Sequence, residues 1–367
     1  MDYAADEPRQ RAAFDAAFGD ALDGPTANGN WSDMSDEIPL IPLVPQGLRE
    51  AAQRGTLIPF VGAGASVLAG CPTWAQLADG ALMACIASDK FTHGQLAQIR
   101  HLTPRMKISI ARAVEAEHSL KIDYSKLINP RDGYKNNEIG RRVYHSLGKL
   151  SQTFVTTNYD AWLDTEIPDI SLSITANPPT QDTAATSRVR RRIVSVEEFT
   201  PANLNQAKCV FHLHGSLAEP GGMVMTTRDY IRRYANDRGS EDPSRENRTL
   251  TFLESLFKNK TVLFVGYGLE DIEILEYVIQ KARQQTPSER PQARHFMLQG
   301  YFAHEYELMR SLTQYYAQCD IELIPFRRDL RDWVQLTEVL EAFAAVMPAT
   351  TPLGLQVQME MESFLEP

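Results

Sequence analysis

"LIPFVGAGASVLAGCPTWAQL", residues 57–77, is the stretch that decides the fold. It begins with an apolar run, breaks at Gly62 and Gly64, and then resumes apolar residues at helical spacing through Trp74. A strand that turns on glycines into a helix binds phosphate in many α/β proteins, because the helix start offers free N–H groups. A standard dinucleotide fingerprint has a third glycine where this chain has Val67. By itself the stretch predicts a strand, a tight turn and a helix, and it leaves open whether the turn holds a ligand.

The composition indicates a globular protein with a substantial core. The chain has 367 residues, of which 43% are hydrophobic and 9% aromatic, enough for one large domain with a smaller one or for two ordinary ones. A formal charge of −10 argues against a general nucleic-acid coat. No apolar run is long enough to span a bilayer, and the first residues, "MDYAADEPRQ", lack the pattern of a signal peptide. The four cysteines are scattered and form no C-x-x-C pair, which predicts reduced thiols in the cytoplasm rather than disulfides or a zinc ribbon.

Hydrophobic periodicity predicts an α/β fold with a Rossmann-like, mostly parallel sheet and helices on both faces. After the strand at 57–61, in which Pro59 is unfavourable for a central position, strand-like runs resume at residue 152. They are "QTFVTTN", "DISLSI", "RRIVSV", "KCVFHLHG", "TVLFVGYG", "RHFMLQ" and "IELIPF". Helical patterns such as "EDIEILEYVIQKARQQ" and "AHEYELMRSLTQYYAQC" separate several of them, and this alternation is typical of a covered parallel sheet.

Three parts are expected along the chain. Residues 1–45 form an N-terminal arm that ends in the exposed, proline-rich "IPLIPLVP". Residues 46–330 form the main domain, in which apolar residues at helical spacing predict a helical insert over 73–150. Residues 331–367 hold a final docking helix and an acidic tail. The basic run "RVRRR" at 188–192 is expected to be a solvated face.

Polar residues follow four of the predicted strands. The groups are "GAGAS" at 62–66, "TTNYD" at 156–160, "HLHGS" at 212–216 and "GYGLED" at 266–271. In open α/β sheets, ligands bind at the carboxyl ends of the strands, near the point where the strand order reverses. The turn preference of Asn, Asp and Gly explains one such ending, but four in one chain are much harder to explain that way. The pattern predicts a ligand site at this edge of the sheet.

The order and spacing of these groups resemble the sirtuin-like NAD-binding superfamily. "GAGASVLAGCP" at 62–72 keeps the family's spacing from the glycine turn to Gly-x-Pro, and the resemblance covers roughly residues 55–275. The chain is more similar to the sirtuin-like NAD hydrolases of bacterial anti-phage defence than to the protein deacylases. It lacks their four-cysteine zinc module, Thr73-Trp74-Ala75 replaces their Asp-Phe-Arg, and Thr157 replaces their glutamine. The resemblance implies that NAD is the substrate and that no metal is bound.

The resemblance also implies roles for individual residues. Asn158 would hold the water and the ribose near the anomeric carbon, and His214 would act as the general base. Asp160 would recognise the nicotinamide carboxamide. The other NAD-binding residues would be Ala63, Gly64 and Ser66 at the pyrophosphate, Pro72 and Trp74 over the nicotinamide side, Thr157 beside the asparagine, and Gly266, Tyr267, Gly268 and Asp271 along the adenosine half.

These residue types suit cleavage of the nicotinamide–ribose bond. The reaction passes through an oxocarbenium-like state, as glycoside cleavage does, and the leaving group is already cationic, so no acid is needed. A histidine supplies a base with a pKa near neutrality, and an asparagine supplies an acceptor and a donor without adding charge. His212 and His214 share one face of a strand, so a buried hydrogen-bonded pair or a pair of metal ligands stays open. His214 is preferred as the base because it directly precedes Gly215 at the strand end.

Two classes of function follow. The first is an NAD hydrolase that depletes NAD in abortive anti-phage defence, with a zinc-free NAD-dependent deacylase as a weaker enzymatic alternative. The second is a module that binds NAD or ADP-ribose without turnover. An enzyme that destroys a central cofactor must be controlled, so we expect a cytoplasmic homo-oligomer with the arm 1–45 at its interface. The resemblance implies a separate activating partner such as a HerA-type translocase ATPase or an Argonaute-like protein, no membrane contact, and only indirect involvement of nucleic acid.

Overall fold

The computed structural model describes residues 38–130, 133–166, 190–234, 247–268, 275, 278–279 and 295–347. Within these residues, seven strands form one sheet: β1 Leu57–Val61, β2 Phe154–Thr156, β3 Arg191–Ile193, β4 Cys209–His212, β5 Thr261–Val265, β6 His295–Tyr301 and β7 Ile321–Arg327. The strand order is β3-β4-β2-β1-β5-β6-β7, and every neighbouring pair is parallel. The predicted parallel α/β sheet is confirmed. The predicted strand "DISLSI" lies outside the described residues, as does most of the predicted helix "EDIEILEYVIQKARQQ".

Helices occupy most of the remaining described chain. The α-helices are α1 Gln46–Gln53, α2 Ala63–Leu68, α3 Trp74–Ala87, α4 His93–Gln98, α5 Pro104–His118, α6 Tyr124–Ile128, α7 Gly133–Asn136, α8 Glu138–Leu150, α9 Pro201–Leu204, α10 Thr227–Tyr234, α11 Arg248–Asn259, α12 Tyr306–Gln318 and α13 Gln335–Val346. Short 3-10 helices lie at Val196–Glu198, Pro220–Gly222, Ala303–Glu305 and Asp332–Val334, and a π-helix lies at Trp162–Glu166. None of the described helices is long and apolar enough to cross a membrane.

Both faces of the sheet are covered, because side chains alternate along each strand. Ile58 and Phe60 of β1 belong to an apolar cluster that includes side chains of α11 and α12. Leu57 and Val61 belong to a second cluster, on the opposite face, with α1, α8 and α13. Strands buried on both faces are near-continuously apolar, which explains the runs "LIPFV" and "TVLFV".

β1 is the central strand even though it contains Pro59. The proline removes one ladder donor, but β1 pairs with β5 over five residues and with β2 at its carboxyl end. Thr156 Oγ1 adds a bond to Val61 O at 2.7 Å. Burial on both faces therefore outweighs the missing N–H that made this strand uncertain from sequence.

The helical region between β1 and β2 divides into two parts. Within the described residues, 74–150 contain six α-helices and no strand. Helices α3, α5 and α6 form a separate apolar cluster together with Tyr159 and Met225. Helix α8 belongs instead to the core of the sheet, where Tyr144 and Leu147 are fully buried. One part therefore covers the sheet, and the other rises above the carboxyl ends of its strands.

The segment 38–45, "IPLIPLVP", is less exposed than the sequence suggested. Ile38 is completely buried in the core. Pro39 O accepts a hydrogen bond from the Arg327 backbone N–H at 2.8 Å, which ties the segment to β7. Leu43 does remain 92% exposed. The expectation of an exposed arm is therefore wrong at Ile38, because burial of a large apolar side chain favours folding.

Candidate active site

A cavity of about 520 Å³ lies at the carboxyl edge of the sheet. The carboxyl ends of strands β1, β2, β4 and β5 meet there, and residues of helices α3, α5, α10 and α13 also line the cavity. The strand order reverses between β1 and β5, so the cavity lies at the topological switch point. Its volume is in the range of small-molecule sites.

Every predicted site residue except Asp271 lines this cavity, and Asp271 lies outside the described residues. The cavity thus brings together Ala63, Gly64, Ser66, Pro72, Trp74, Thr157, Asn158, Asp160, His214, Gly266, Tyr267 and Gly268. Residues near 62, 158, 214 and 266, distant in sequence, become neighbours because parallel strands end at one edge.

Several lining residues were not predicted. Gln299 and Phe326 lie near the ends of β6 and β7, and the same strand-end argument applied to those strands would have found them. Arg105 of α5 and Tyr230 of α10 also line the cavity, with the Arg105 guanidinium 3.9 Å from the centre of the Tyr230 ring. No sequence signal marks this pair, because their contact depends on how the helices pack.

The glycine turn after β1 packs against the end of β5. Gly62 N–H donates to Val265 O at 2.8 Å, and Gly64 N–H donates to Gly266 O at 2.7 Å. Gly266 has a φ of +64°, and a Cβ there would lie 2.3 Å from Ala65 N. The glycines are therefore required for the close approach of two turns. The pyrophosphate contact of Gly64 stays a prediction, and in this structure its N–H is already bonded within the protein.

A buried network joins α2 to the loop after β2. Asn158 Nδ2 donates to Gly62 O at 2.9 Å and to Ser66 Oγ at 2.8 Å. Ser66 Oγ donates to Asp160 Oδ2 at 2.5 Å and lies 3.0 Å from the Tyr144 hydroxyl, which donates to it because Ser66 has a single hydrogen. A backbone carbonyl can only accept, so Gly62 O fixes the orientation of the Asn158 amide.

This network leaves the side-chain oxygen of Asn158 for a ligand. Both Nδ2 hydrogens are used, and no donor among the described residues meets Oδ1. Asn158 lines the cavity. A fixed, uncharged acceptor of this kind can orient a water molecule or a hydroxyl group.

Asp160 is held in the same wall. Burial raises the pKa of Asp160, and the hydrogen bonds from Ser66 and the Trp162 backbone oppose that rise. Oδ2 accepts from Ser66, and Oδ1 accepts from Trp162 N at 3.1 Å. Each oxygen keeps a further lone pair, so recognition of a carboxamide N–H stays a prediction that the geometry allows.

His214 lies on the cavity wall with one ring nitrogen bonded. Nε2 is 2.9 Å from the Tyr234 hydroxyl, and among the described residues Nδ1 meets no hydrogen-bond partner. Burial, followed by the positive charges of Arg233 and Arg105, lowers the pKa of His214 to about 3. The near-neutral pKa expected from sequence is therefore wrong for the free protein. The imidazole is neutral at physiological pH and can accept a proton, although as a weaker base than an ordinary histidine.

His212 occupies a different environment from His214. Its side chain is completely buried, with Nδ1 2.9 Å from Asn158 O and Nε2 3.0 Å from Asp164 Oδ1. Asp164 Oδ2 accepts from Arg192 Nε at 2.7 Å. Burial opposes ionisation of Asp164, but the hydrogen bond and charge of His212, with Arg192, lower its pKa overall.

The basic run at 188–192 is a solvated face only in part: among its described residues, Arg191 is exposed and pairs with Glu198, whereas its two neighbours are not solvated in this way. Arg190 is buried, and Arg192 pairs with buried Asp164. The expectation from charge patterning fails there because the fold places a buried carboxylate beside the run.

Residues 152–324 match the family model of the SIR2-like domain. The match extends from β2 into β7 and supports the sirtuin-like superfamily that the motifs indicated. A SIR2-like domain implies use of NAD. The glycine turn lies outside the matched residues but is joined to them through the bonds of Gly62 and Gly64 described above. No curated protein sequence matches the chain significantly.

The described residues contain no group of three or more His, Cys, Asp or Glu side chains that could hold a metal ion. All four cysteines are buried free thiols. Burial, with the charge of Asp160 adding to it, raises the pKa of Cys71 at the cavity wall. That thiol stays protonated at neutral pH and is a poor nucleophile.

Proposed function

We propose that the chain is an NAD hydrolase that releases nicotinamide and ADP-ribose. One observation carries the proposal: Asn158 and neutral His214 line the same cavity. Among the described residues, neither Asn158 Oδ1 nor His214 Nδ1 has a hydrogen-bond partner. The SIR2-like match supports NAD as the ligand. A module that only binds NAD has no need of a base beside a water-orienting acceptor, so this pair favours the enzyme over the binding module.

The chemistry of the lining fits NAD. The rings of Trp74 and Tyr159, 5.9 Å apart, offer apolar surface to a planar base. The Arg105 guanidinium makes no ion pair in the described part of the chain and supplies a counter-charge for phosphate groups. Gly268 borders open space, since a Cβ added there would meet no heavy atom within 4 Å.

The proposed reaction consumes one water molecule. Its oxygen bonds to the anomeric carbon of the nicotinamide ribose as the C–N bond breaks, and the bonding electron pair passes to the pyridine nitrogen. Asn158 Oδ1 accepts one hydrogen of the water and orients it, and His214 Nδ1 takes the proton that is released. The products are nicotinamide, ADP-ribose and one proton. No acid is required, because the leaving pyridinium is neutralised by the bond cleavage itself.

The purified full-length chain, incubated with NAD alone and with candidate partners, should release nicotinamide and ADP-ribose in equal amounts. Chromatography of the products measures this. NAD that stays intact under every condition contradicts hydrolysis, and calorimetric binding without turnover would favour the binding module. An acylated ADP-ribose formed with an acyl-peptide would favour the deacylase.

The lowered pKa of His214 gives the pH dependence a definite sign. The base must be neutral, and in the free protein it is neutral above its pKa of about 3. We therefore expect kcat/KM, which reports the free enzyme, to stay nearly constant as the pH falls from about 8 to about 5. A base with an unperturbed pKa would lose roughly thirtyfold over that interval. Such a loss, in protein that circular dichroism shows to be folded at both pH values, would contradict the assignment.

We further propose that assembly controls this activity in the cytoplasm and that NAD depletion serves anti-phage defence. In this proposal the arm 1–45 contributes to the interface, the main domain 46–330 binds NAD, and residues 331–367 hold the docking helix and the acidic tail. Asp271 is proposed to contact the adenosine half of NAD. Leu43, 92% exposed, gives the arm an apolar contact for a second copy. A HerA-type translocase ATPase or an Argonaute-like protein remains the proposed activating partner.

Leu43→Glu should weaken self-association, because a charge cannot be buried in an apolar interface without a partner. Light scattering on the full-length chain would measure the mass, with Leu308→Glu as the control, since Leu308 is 50% exposed on α12. Equal mass and equal turnover for both variants would leave the arm without the proposed role.

A further inference from the structure

The loop that carries Asn158 is held by a hydrogen-bonded triad formed by Arg192, Asp164 and His212. His212 Nδ1 donates to Asn158 O at 2.9 Å, its Nε2 lies 3.0 Å from Asp164 Oδ1, and Arg192 Nε donates to Asp164 Oδ2 at 2.7 Å. The side chains of His212 and Asp164 are completely buried. In the described chain none of the three lines the cavity, so they reach a ligand only through Asn158.

The hydrogen bonds fix one proton of this triad. Asn158 O is a carbonyl and can only accept, so His212 Nδ1 carries a hydrogen. Asp164 Oδ2 accepts from Arg192 Nε, and Asp164 Oδ1 lies 3.0 Å from His212 Nε2. The imidazole of His212 is therefore held at both nitrogens, between a carbonyl and a carboxylate.

The triad completes the restraint of Asn158. Asn158 N–H donates to Thr156 Oγ1 at 3.0 Å, its Nδ2 is held by Gly62 O and Ser66 Oγ, and its carbonyl is held by His212. Among the described residues Oδ1 is the one hydrogen-bonding atom of Asn158 without a partner. Backbone and side chain are thus fixed from opposite sides, and the open oxygen has a defined position.

We propose that His212 and Asp164 are positioning residues, which hold the carbonyl of Asn158 so that its side-chain oxygen orients the attacking water. This inference rests on the proposed hydrolysis of NAD. A displacement of about 1 Å at a reacting group can cost roughly a hundredfold in rate, so loss of the triad should lower turnover far more than binding. If the triad only stabilised the fold, its loss would lower turnover and NAD binding together.

The variants are chosen to separate an effect on the position of Asn158 from an effect on the stability of the fold. His212→Ala and Asp164→Ala remove the donor and its anchor. His212→Asn restores an amide N–H close to the position of Nδ1, and Asp164→Asn can still accept from Arg192 and donate to His212. His295→Asn is the matched control, because His295 is also buried and bonded to a strand, at Val262 N, but does not line the cavity.

Nicotinamide release should fall at least about thirtyfold in His212→Ala and Asp164→Ala, with the dissociation constant for NAD within about threefold of wild type. His212→Asn should recover at least about tenfold relative to His212→Ala, and His295→Asn should stay within about threefold of wild type. Rates are measured by chromatography, NAD affinity by calorimetry and the folded fraction by denaturant unfolding. Wild-type rates in both alanine variants, or rate losses matched by His295→Asn, would overturn the proposal.

A second readout needs no turnover. Asn158-Tyr159 is the only Asn-Tyr pair in the sequence, so carbonyl-¹³C asparagine with ¹⁵N tyrosine yields one cross-peak that reports the Asn158 carbonyl. It should move upfield in His212→Ala and Asp164→Ala and stay in place in His295→Asn; an unmoved peak overturns the positioning. If the wild-type chain never releases nicotinamide, the proposed hydrolysis fails, and this peak alone decides whether the triad holds Asn158.

Discussion

His214→Ala should lower nicotinamide release by roughly a hundredfold to ten-thousandfold, the range that a positioned general base contributes. The ring lines the cavity, is neutral at physiological pH because burial lowers its pKa to about 3, and leaves Nδ1 without a partner in the described chain. Alanine removes the acceptor of the water proton. Initial rates of nicotinamide release at saturating NAD measure the effect.

Asn158→Ala should have an effect of similar size, roughly a hundredfold to a thousandfold, because it removes the fixed oxygen that orients the water. It also removes the bonds to Gly62 O and Ser66 Oγ, so its unfolding free energy must be measured beside its rate. His101→Ala, at an exposed position in the helical region, is the control and should keep wild-type turnover. A His214→Ala variant with wild-type turnover would show that another group is the base.

Gly266→Ala should destabilise the fold by about 3 kcal/mol or more, through a left-handed backbone together with a steric clash. Gly266 has a φ of +64°, and its new Cβ would lie 2.3 Å from Ala65 N and 2.9 Å from Gly64 C. These are backbone atoms, so relief requires the β1 and β5 turns to separate. Separation would break the bond from Gly64 N–H to Gly266 O and distort the wall that holds Asn158. Denaturant unfolding measures the loss, and turnover should fall with it.

Gly268→Ala is the matched control, two residues further along the same motif. A Cβ there meets no heavy atom within 4 Å, so the free energy of unfolding should change by less than about 1 kcal/mol. Gly268 lines the cavity, and a methyl group there should weaken NAD binding without unfolding the chain. Equal stability of the two variants would contradict the packing argument for Gly266.

The fold was accessible from the sequence because its signals are local. Five apolar residues before a glycine, as in β1, and polar residues directly after four of the strands are patterns that a short window contains. The parallel order then follows from covering both faces, and it brings every strand end to one edge. The expectation that "IPLIPLVP" is exposed failed at Ile38, and Pro59 did not exclude β1 from the centre of the sheet, because the contacts that decide both points are not local. Ile38 and β1 gain burial from partners far away in sequence.

The candidate site was accessible only in part. The strand-end argument found Asn158, Asp160 and His214, but not Arg105 or Tyr230, which reach the cavity from separate helices. It also treated Arg192 as part of a solvated run, whereas that side chain pairs with Asp164. Charge patterning along a chain does not reveal which carboxylate the fold will bury beside it.

By itself, the sequence determined the parallel sheet, the glycine turn at its switch point and the groups of residues that meet at its carboxyl edge. Apolar periodicity and turn chemistry act over a few residues, so a linear pattern contains them. Only the tertiary structure decided the environment and orientation of those residues: neutral His214, His212 held between a carbonyl and a carboxylate, and Asn158 with its oxygen left open. These properties depend on burial and on hydrogen-bond partners that are distant in sequence. Gly62 bonds to Asn158, and Asp164 bonds to His212, and only folding brings such pairs together.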